Sequence, residues 1–499
     1  MATRQHGSGV EAEAGRPRRV SIDPLTRVEG HGKVTLLQDE AGRITEARLH
    51  IVEFRGFERF IQGRPYQELP VVVQRLCGIC PVSHHLAAGK AIDHLFGVSA
   101  LPPTAEQLRR ALHLAQVLQS HAVHFFHLAS PDLLLGFDRA PESRNIVGVI
   151  REHADIARKG IALRKFGQEV IEAITGKRVH GVAVIPGGMN KPLAPAARDR
   201  LAHQIDDIVT WAQEAVALMA GLYLDRRTAF SSFGAFPSPM MGLVDPQGRF
   251  ELYDGALRVQ AANGDIMVDQ WPDTAFPELL VEEARPWSYM KFPYLRQLGP
   301  ENGWYRVGPL ARLNLCTSMG TPLAEAARHE WLHSAQGGPV TASLAYHWAR
   351  LIELLHCAEG LRELLADPVL VGTELRAPLG PQGREAIGVI EAPRGTLFHQ
   401  YLIDAEGLVE KANLVVSTTN NNEAMNRAIR EVAATELDGQ TLTEALLNRV
   451  EVAIRAYDPC LSCATHAIGQ MPLVVELTDH GGARVSQIAK DAEGRIRHG

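Results

Sequence analysis

Two Cys-x-x-Cys pairs at opposite ends of the chain constrain the fold more than any other feature. Cys77 and Cys80 form one pair, Cys460 and Cys463 form the other, and Cys80 and Cys460 are 380 positions apart. Zinc ribbons use pairs about 15 to 20 residues apart. Ligands from both ends of a chain instead require a large fold that brings the ends together. The spacing therefore predicts one metal site at the centre of the fold, which suits catalysis better than local stabilisation.

The residue types leave the metal open. Soft thiolates select zinc, copper(I), nickel or iron, and spacing alone does not separate zinc from a redox metal. Apolar residues recur at helical spacing after Cys80, so we expect the first pair at the entry to a helix, whose N–H groups favour a thiolate. Cys316 and Cys357 stand alone in apolar surroundings and are expected in the core. A zinc-stabilised interaction protein is the alternative, which the wide ligand separation disfavours.

Composition excludes several functional classes. The 499 residues include 51 Lys and Arg against 57 Asp and Glu, a net charge of −6, with no basic patch that would indicate a nucleic-acid partner. No apolar stretch approaches the roughly 20 residues that cross a membrane. Residues 1–20 are polar, and no apolar segment follows Arg18 and Arg19, so we expect a disordered extension without an export signal. These features predict a cytoplasmic protein with reduced cysteines.

Apolar periodicity predicts a multidomain α+β fold in which helices predominate. Alternating residues indicate a small β region over 21–60, and a helical core is expected over 77–230. In its long helix after Pro103, Thr104 is expected as the N-cap and Gln107 as its capping-box partner. The expected buried stripe of this helix is Leu108, Leu112, Ala115, Leu118, Ala122 and Phe125.

The rest of the chain continues this mixture around a central bundle of long helices. An inserted β and loop region is expected over 245–320, with strands around 245–270, and a helical and β C-terminal part over 323–466, with strands around 386–418. Further helices are predicted at 146–175, 195–229, 323–335, 340–366 and 423–454.

Several motifs resemble those of one enzyme family. RLCGICPVSH (75–84) and DPCLSCATH (458–466) are similar to the metal-binding signatures of the large, catalytic subunit of nickel-iron hydrogenases. The resemblance covers nearly the whole chain and implies that family's fold. WSYMKFPYL (287–295) and YDPCLSCATHAIGQMPLVV (457–475) are similar to the bidirectional, NAD-reducing soluble branch in particular. Further motifs in the family order are RVEGHGKV (27–34), RGFE (55–58), HAVHFFHL (121–128), IPGG (185–188) and EAPRG (391–395).

The resemblance implies a nickel-iron centre that cleaves H2 heterolytically. All four cysteines would bind nickel, with Cys77 and Cys460 terminal and with Cys80 and Cys463 bridging to an iron that carries carbon monoxide and cyanide. Cys460 would pass a proton to Glu29.

The resemblance also assigns roles around this centre. Arg394 would lie over its open face, where a guanidinium acts first through its charge. Thr418 and the backbone near Pro393 would hydrogen-bond the cyanides, and His84 would donate to a bridging sulfur. Ser417, where relatives often have proline, and VHG at 179–181, in place of an IHP-like segment, depart from the family pattern.

A magnesium site and a histidine row complete the candidate residues. The resemblance implies that Glu58, His466 and the carbonyl of Leu414 hold the magnesium ion. His121, His124 and His127 are spaced i, i+3 and i+6 on one helix. That spacing could bind metal, but we favour a hydrogen-bonded lining beneath the active site.

Electrons need partner subunits, because the other two cysteines, Cys316 and Cys357, are expected in the core and none is left for iron-sulfur clusters. The chain contains no G-x-G-x-x-G motif, so we expect no NAD site in it. The resemblance implies a small subunit with iron-sulfur clusters, together with diaphorase subunits that carry FMN and reduce NAD⁺. It also implies nickel-insertion factors and a maturation endopeptidase that removes 467–499 after His466. The alternatives are an NADP-linked or other soluble hydrogenase, and a metal-free respiratory-complex-like subunit of the same fold.

Overall fold

The computed structural model describes residues 18–335, 337–464, 473–478, 484–490 and 496–498. Helices predominate in it, as the sequence predicts. Two π-helical turns, His124–Ala129 and Ala433–Leu437, each continue the α-helix that precedes them. The helices are α1 Phe57–Phe60, α2 Leu69–Val72, α3 Pro81–Leu95, α4 Pro103–Val123, α5 Ser130–Leu135, α6 Ile146–Glu152, α7 Ala154–Thr175, α8 Pro195–Ala202, α9 Ile205–Asp225, α10 Arg227–Ser232, α11 Phe276–Leu279, α12 Gly299–Asn302, α13 Pro309–Leu315, α14 Pro322–His333, α15 Ala345–Ala366, α16 Ser417–Asn420, α17 Asn422–Val432 and α18 Glu444–Ala456.

Four long helices form the centre of the molecule. Helix α4 packs against α7 and α15, and α15 also packs against α9. All six residues of the stripe predicted for α4 and its π-helical extension are buried. The apolar spacing therefore identified the face that α4 turns to the core.

The predicted capping box of α4 is wrong. The helix begins at Pro103 after Pro102, and no side chain caps it. The Thr104 hydroxyl donates to the carbonyl of Val369, and the Gln107 amide donates to Asp367. Proline at the first helical position sets the start without a side-chain cap, which leaves both polar side chains to bind the segment after α15.

Small antiparallel sheets surround the helices. The first three strands pair in sequence order, and so do β6–β8, β11–β13 and β14–β16, while β4 pairs with β5 and β9 with β10. The strands are β1 Arg18–Ile22, β2 Gly32–Gln38, β3 Ile44–Ile51, β4 Val184–Ile185, β5 Gly188–Met189, β6 Met240–Val244, β7 Ala256–Gln260, β8 Ile266–Trp271, β9 Leu280–Glu283, β10 Phe292–Leu295, β11 Glu385–Ala392, β12 Gly395–Ile403, β13 Val409–Val415, β14 Leu473–Thr478, β15 Arg484–Lys490 and β16 Ile496–His498.

The sheets β1–β3, β6–β8 and β11–β13 lie where the sequence predicts the three β-rich regions, whereas the pair β4–β5 lies within the expected helical core. The predominantly helical α+β fold is confirmed. Strand β1 begins at Arg18, three residues before the expected start of the folded body at residue 21. Residues 1–17 of the expected extension lie outside the described residues, as do 465–472, which include the expected cleavage point after His466. Strands β14–β16 lie within the expected C-terminal extension.

Helix α3 rests directly on the sheet β11–β13. The contact is close because Gly388 of β11 has no side chain: a Cβ there would lie 2.1 Å from the carbonyl oxygen of Ala87. This packing places the start of α3, which follows Cys80, next to the turn between β11 and β12.

The two ends of the chain meet beside that turn. Glu29 pairs with Cys460 in an isolated parallel bridge. Arg27 donates two hydrogen bonds to the buried carboxylate of Asp132, which Arg455 also contacts. Burial raises the pKa of Asp132, but Arg455 and Arg27 lower it below its ordinary value. This ion cluster ties the segment before Glu29 to the helix before Cys460.

None of the helices in the described ranges has the length and apolarity that crossing a membrane requires.

Candidate metal centre

The four predicted cysteines converge in the core. Their Sγ atoms all lie within 4.8 Å of one another, and all four residues are buried. The Sγ–Sγ distances are 3.4 Å for Cys77 and Cys460, 3.8 Å for Cys80 and Cys463, and 2.7 Å for Cys460 and Cys463. Within the described ranges, no other set of three or more His, Cys, Asp or Glu side chains converges in this way. The fold thus brings together two cysteine pairs that lie far apart in the sequence.

The first pair is held by the loop that leads into α3. Cys77 is extended and follows the 3-10 turn Val73–Leu76, and Cys80 is the residue before the first turn of α3. The backbone N–H groups of Ile79 and Cys80 both donate to the Sγ atom of Cys77, at 3.2 and 3.3 Å. These donors favour a thiolate at Cys77.

Two glutamines that sequence analysis did not single out fix the same loop. The side-chain amides of Gln116 and Gln119 on α4 each donate to the carbonyl of Ile79 at 2.8 Å. His180, in the VHG segment that departs from the family pattern, donates to the carbonyl of Cys77 at 3.1 Å. A pair of glutamines at i and i+3 beside an apolar stripe was the available signal.

The second pair follows α18 through a sharp turn. Asp458 has a positive φ of 54°, which starts the loop that carries Cys460. The N–H group of Cys460 donates to the Thr418 hydroxyl at 3.0 Å. Thr418 thus holds the loop, and its hydroxyl hydrogen remains available to an acceptor in the site.

Burial sets the acidity of the cluster. Hydrogen bonds from the other three cysteines hold the pKa of Cys77 well below its ordinary value. Burial raises the pKa of Cys460 and of Cys463 well above their ordinary values. Four thiols so close together in an apolar interior cannot all ionise unless a cation shares their charge. The donor set therefore fits a soft metal ion.

Glu29 lies against the cluster, as the family motif predicts. Its Oε2 atom is 3.0 Å from the Sγ atom of Cys460 and accepts the N–H group of Ser462 at 3.1 Å. The Ser462 hydroxyl donates to Glu53 at 2.9 Å. Glu53 and Ser462 were not predicted, although Ser462 lies inside the second cysteine motif.

Arg394 is buried beside the thiols. Its Nε atom donates to the carbonyl of Asp458 at 2.6 Å, and an Nη atom donates to the Asp458 carboxylate at 3.0 Å. A longer contact of 3.4 Å reaches the Ser120 hydroxyl. Burial opposes the charge, but Asp458 and the cysteines raise the pKa of Arg394 well above its ordinary value. Arg394 is therefore a fixed cation held by the ligand-bearing loop.

A second buried arginine supports the segment before Arg394. Arg312 donates to both carboxylate oxygens of Glu353, at 2.7 and 2.6 Å, and to Glu391 at 2.7 Å. It also donates to the carbonyls of Ala392 at 3.0 Å and Pro393 at 3.2 Å. The predicted hydrogen bond to cyanide near Pro393 cannot come from the Pro393 carbonyl. That oxygen has no hydrogen to donate, and it already accepts a hydrogen bond from Arg312.

A small cavity adjoins the cluster and is lined by Cys80, Cys460 and Cys463. Its lining includes apolar side chains and the hydroxyl-bearing residues Ser83, Ser417 and Thr418. The buried Ser83 hydroxyl has no hydrogen-bond partner in the described part of the chain. A hydroxyl donor without a partner among the described residues, beside a cavity that three of the thiols line, fits a group with small hydrogen-bond-accepting ligands. The apolar lining consists of Ala392, Pro393, Leu397 and Val416.

The histidines of the site region have distinct surroundings. His84 lines the same cavity, and its Nδ1 atom is 3.1 Å from Nε2 of His399. His121 contacts Glu353 at 2.9 Å, and His124 donates to the carbonyl of Arg455 at 2.7 Å. Burial lowers the pKa of His127. In the described ranges the row His121, His124 and His127 does not converge on a common point.

The expected magnesium residues are only partly within the described chain. Glu58 is buried, and its Oε1 atom accepts the N–H group of Leu414 at 2.8 Å. His466 lies outside the described residues. Glu58 and Leu414 are therefore brought together by α1 and β13.

Comparisons with known proteins identify the family. The model described as nickel-dependent hydrogenase matches residues 55–135 and 260–466, and one described as HoxL-like matches 19–54. The NAD-reducing hydrogenase HoxS subunit beta of Cupriavidus necator is 44% identical over 487 residues, 95% of this chain and 100% of that one. A chain of the F420-non-reducing hydrogenase vhu of Methanococcus voltae is 44% identical over 418 residues, 83% of this chain and 98% of that one.

Comparisons with solved structures are consistent with this family and its fold. An NAD⁺-reducing NiFe-hydrogenase in the H2-reduced state has a TM-score of 0.89 and 56% identity, covering 90% of this chain and 99% of that one. The Ni-Fe-Se hydrogenase of Desulfovibrio vulgaris Hildenborough has a TM-score of 0.73 at 22% identity, covering 90% and 100%, and supports the fold alone. The chain belongs to the nickel-dependent hydrogenase family, as a large subunit. The predicted resemblance is confirmed, and the family favours nickel over zinc at the cysteine cluster.

Proposed function

We propose that the chain is the catalytic large subunit of a cytoplasmic, NAD-reducing nickel-iron hydrogenase. The observation that carries this proposal is the convergence of four buried thiols, with Glu29 3.0 Å from the Sγ atom of Cys460. The choice of NAD as the coenzyme rests on the relative from Cupriavidus necator, which is named an NAD-reducing hydrogenase. NAD⁺ would bind a diaphorase partner that also carries FMN.

Four thiolates suit nickel, and two of them can be shared with iron. We assign Cys77 and Cys460 as terminal nickel ligands and Cys80 and Cys463 as the bridging pair. When bound, this centre supplies the redox-active Lewis acid at which H2 is split. The cavity beside Cys80 and Cys463 would hold the carbon monoxide and cyanide ligands of iron. Ser83 and Thr418 offer hydroxyl donors to it, whereas the Ser417 hydroxyl, which also lines it, already donates to the Gly395 carbonyl.

Residues of this chain would accept the proton and stabilise the negative charge of the thiolates. Cys460 is the terminal thiolate that accepts the proton, and Glu29 is the carboxylate within reach of its sulfur. Ser462 holds that carboxylate through its N–H group, so the acceptor oxygen stays oriented. Arg394 is a fixed cation beside the thiolates, where it stabilises negative charge in a dry interior.

We assign Glu58, the Leu414 carbonyl and His466 to a magnesium ion. A carboxylate and a carbonyl with several waters are ligands that Mg²⁺ accepts. The buried contact of Glu58 with Leu414 supports this assignment.

Partner subunits carry the electrons away. The chain has six cysteines, and four of them form the cluster, so it cannot bind an iron-sulfur relay of its own. Val52 and Phe54 are exposed apolar side chains that flank Glu53 in sequence, and Glu53 hydrogen-bonds Ser462 next to the ligands. We propose that the iron-sulfur small subunit docks on this surface, because a short path favours electron transfer.

Metal analysis with infrared spectroscopy tests the proposal directly. The matured holoenzyme should contain nickel and iron and show carbon monoxide and cyanide stretching bands. Absence of nickel and of these bands would reject it and favour the metal-free respiratory-complex-like alternative. Turnover with NADP⁺ faster than with NAD⁺ would instead support the NADP-linked alternative.

Glu29→Gln tests the proton acceptor. The amide keeps an oxygen for the Ser462 N–H group but cannot take a proton, so exchange of H2 with D2O should fall about 10²-fold or more. Nickel content should not change. Glu406→Gln, on an exposed turn, is the matched control and should exchange at the wild-type rate. Wild-type exchange in the Glu29 variant would remove this residue from the mechanism.

Maturation and assembly have their own measurements. We propose that nickel-insertion factors load the chain and that an endopeptidase then removes 467–499. Intact mass of active enzyme should show a chain that ends at His466, and active material that retains Gly499 would contradict this. Co-purification should recover the iron-sulfur and diaphorase subunits.

A further inference from the structure

Three buried rings form a hydrogen-bonded row behind the metal cavity. His84 on α3 contacts His399 on β12, with 3.1 Å between His84 Nδ1 and His399 Nε2. The Tyr401 hydroxyl lies 2.7 Å from Nδ1 of His399. All three residues are at most 1% exposed. Because bulk water does not reach these rings, neighbouring side chains determine which ring nitrogen carries the proton.

Secondary structure explains why the rings line up. His84 follows Cys80 by four residues and so lies one turn further along the same side of α3. His399 and Tyr401 are two residues apart on β12, so their side chains share one face of the sheet. Helix α3 packs on that strand. The row therefore begins at the cavity lined by Cys80 and Cys463.

The Tyr401 hydroxyl keeps its proton and lies against a ring nitrogen of His399. Burial, together with the charge of Glu58, raises the pKa of Tyr401 well above its ordinary value. In the part of the chain that the structure describes, the hydroxyl bonds to Nδ1 of His399. That nitrogen is therefore the acceptor, and the proton of a neutral His399 must lie on Nε2.

The same hydrogen-bond reasoning assigns the tautomer of His84. The Nε2–H group of His399 donates to Nδ1 of His84, so the proton of a neutral His84 lies on Nε2. We propose that Tyr401 is a positioning residue that sets the tautomers of His399 and His84. His84 then presents an N–H donor, not a lone pair, to the cavity on the side of Cys80 and Cys463. This inference rests on the proposed function only for its consequence at the metals.

A donor and a lone pair act oppositely on a neighbouring thiolate. An N–H group stabilises electron density on sulfur, whereas a lone pair repels it. Tyr401→Phe removes the donor that holds His399, so both tautomers of the histidine pair become accessible. The metal site should then become heterogeneous, although no ligand has been changed.

Neutron diffraction of deuterium-exchanged holoenzyme crystals tests the tautomers directly. Deuterium is expected on Nε2 of His84, on Nε2 of His399 and on the Tyr401 oxygen. Deuterium on Nδ1 of His84 would overturn the inference. This measurement reads protonation without turnover, so it can fail while the nickel content and hydrogenase activity of the same preparation uphold the proposed function.

Infrared spectra of the loaded enzyme test the consequence. Tyr401→Phe should split or shift the carbon monoxide and cyanide bands with nickel content unchanged. Tyr253→Phe is the matched control, because Tyr253 is also buried and its hydroxyl accepts a hydrogen bond from Arg109 at 3.0 Å. Bands identical to wild type in both variants would refute the positioning role. If the Tyr401→Phe variant fails to fold, the deuterium positions in the unsubstituted holoenzyme still test the tautomers.

Discussion

Replacing Arg312 with methionine should destabilise the protein strongly, although Arg312 contacts no metal ligand. Its guanidinium binds Glu353 and Glu391, and neither carboxylate is exposed. Removing one partner of a buried ion pair costs about 3 to 5 kcal/mol, because it leaves uncompensated charge. Methionine has a similar length but cannot supply the five N–H donors.

The acidity of Glu353 gives an independent magnitude. Burial alone would raise its pKa, but Arg312, with a smaller contribution from His121, holds the pKa at about 2, against an ordinary 4.5. That shift corresponds to about 3 kcal/mol at neutral pH. The stabilisation is complete above pH 4.5 and is lost as the pH falls toward 2. Burial raises the pKa of Glu391 despite Arg312, so Glu391 adds nothing to this sum. We therefore expect a loss of about 3 kcal/mol.

Calorimetric unfolding of the holoenzyme at pH 7 measures this loss. For a folded chain of this size the unfolding entropy is roughly 1 kcal/mol/K, so Arg312→Met should lower Tm by about 3 °C. Arg384→Met is the matched control, because Arg384 pairs with Glu410 where both side chains are exposed, and its Tm should hardly change. A Tm equal to wild type in the Arg312 variant would refute the reasoning.

Two further stability predictions follow from close packing and burial. Gly388→Ala should lower stability by about 1 to 3 kcal/mol in chemical unfolding, because its Cβ would meet the Ala87 carbonyl at 2.1 Å. Gly221→Ala, where a Cβ meets nothing within 4 Å, should stabilise α9 instead, and equal effects would contradict the steric argument. Burial also lowers five histidine pKa values from 6.5 to about 4, so stability is retained above pH 6.5 and lost as the pH falls toward 4, by up to about 1.4 kcal/mol per group and pH unit. A Tm that does not change between pH 7.5 and 5.5 would contradict this for the set His50, His85, His113, His121 and His356.

The cluster was predictable because its signal is local. Each Cys-x-x-Cys pair is visible in the sequence, and the apolar stripe of α4 follows from helical spacing. Element boundaries were less accessible: the helix predicted over 146–175 is broken at His153, which leaves the helical conformation. Asn145 caps the first piece by accepting two N–H groups.

The ion network around Arg312 could not be predicted from local patterns. Arg312, Glu353 and Glu391 lie on α13, α15 and β11, far apart in sequence. Charged residues in a helical pattern normally indicate a solvent-facing side. Here the three charges satisfy one another in the core, and only the assembled fold reveals the pairing.

The location of Arg394's partner has a consequence for how the site is assembled. Asp458, which binds the Arg394 guanidinium, lies two residues before Cys460 on the loop that carries the second cysteine pair. Displacement of that loop therefore removes two thiols and the anchor of the cation together. Arg312 donates hydrogen bonds to the carbonyls of the two residues before Arg394. The cation thus reaches its position beside the thiols only when the C-terminal loop is docked, so ligand placement and charge compensation depend on the same closure of the chain ends.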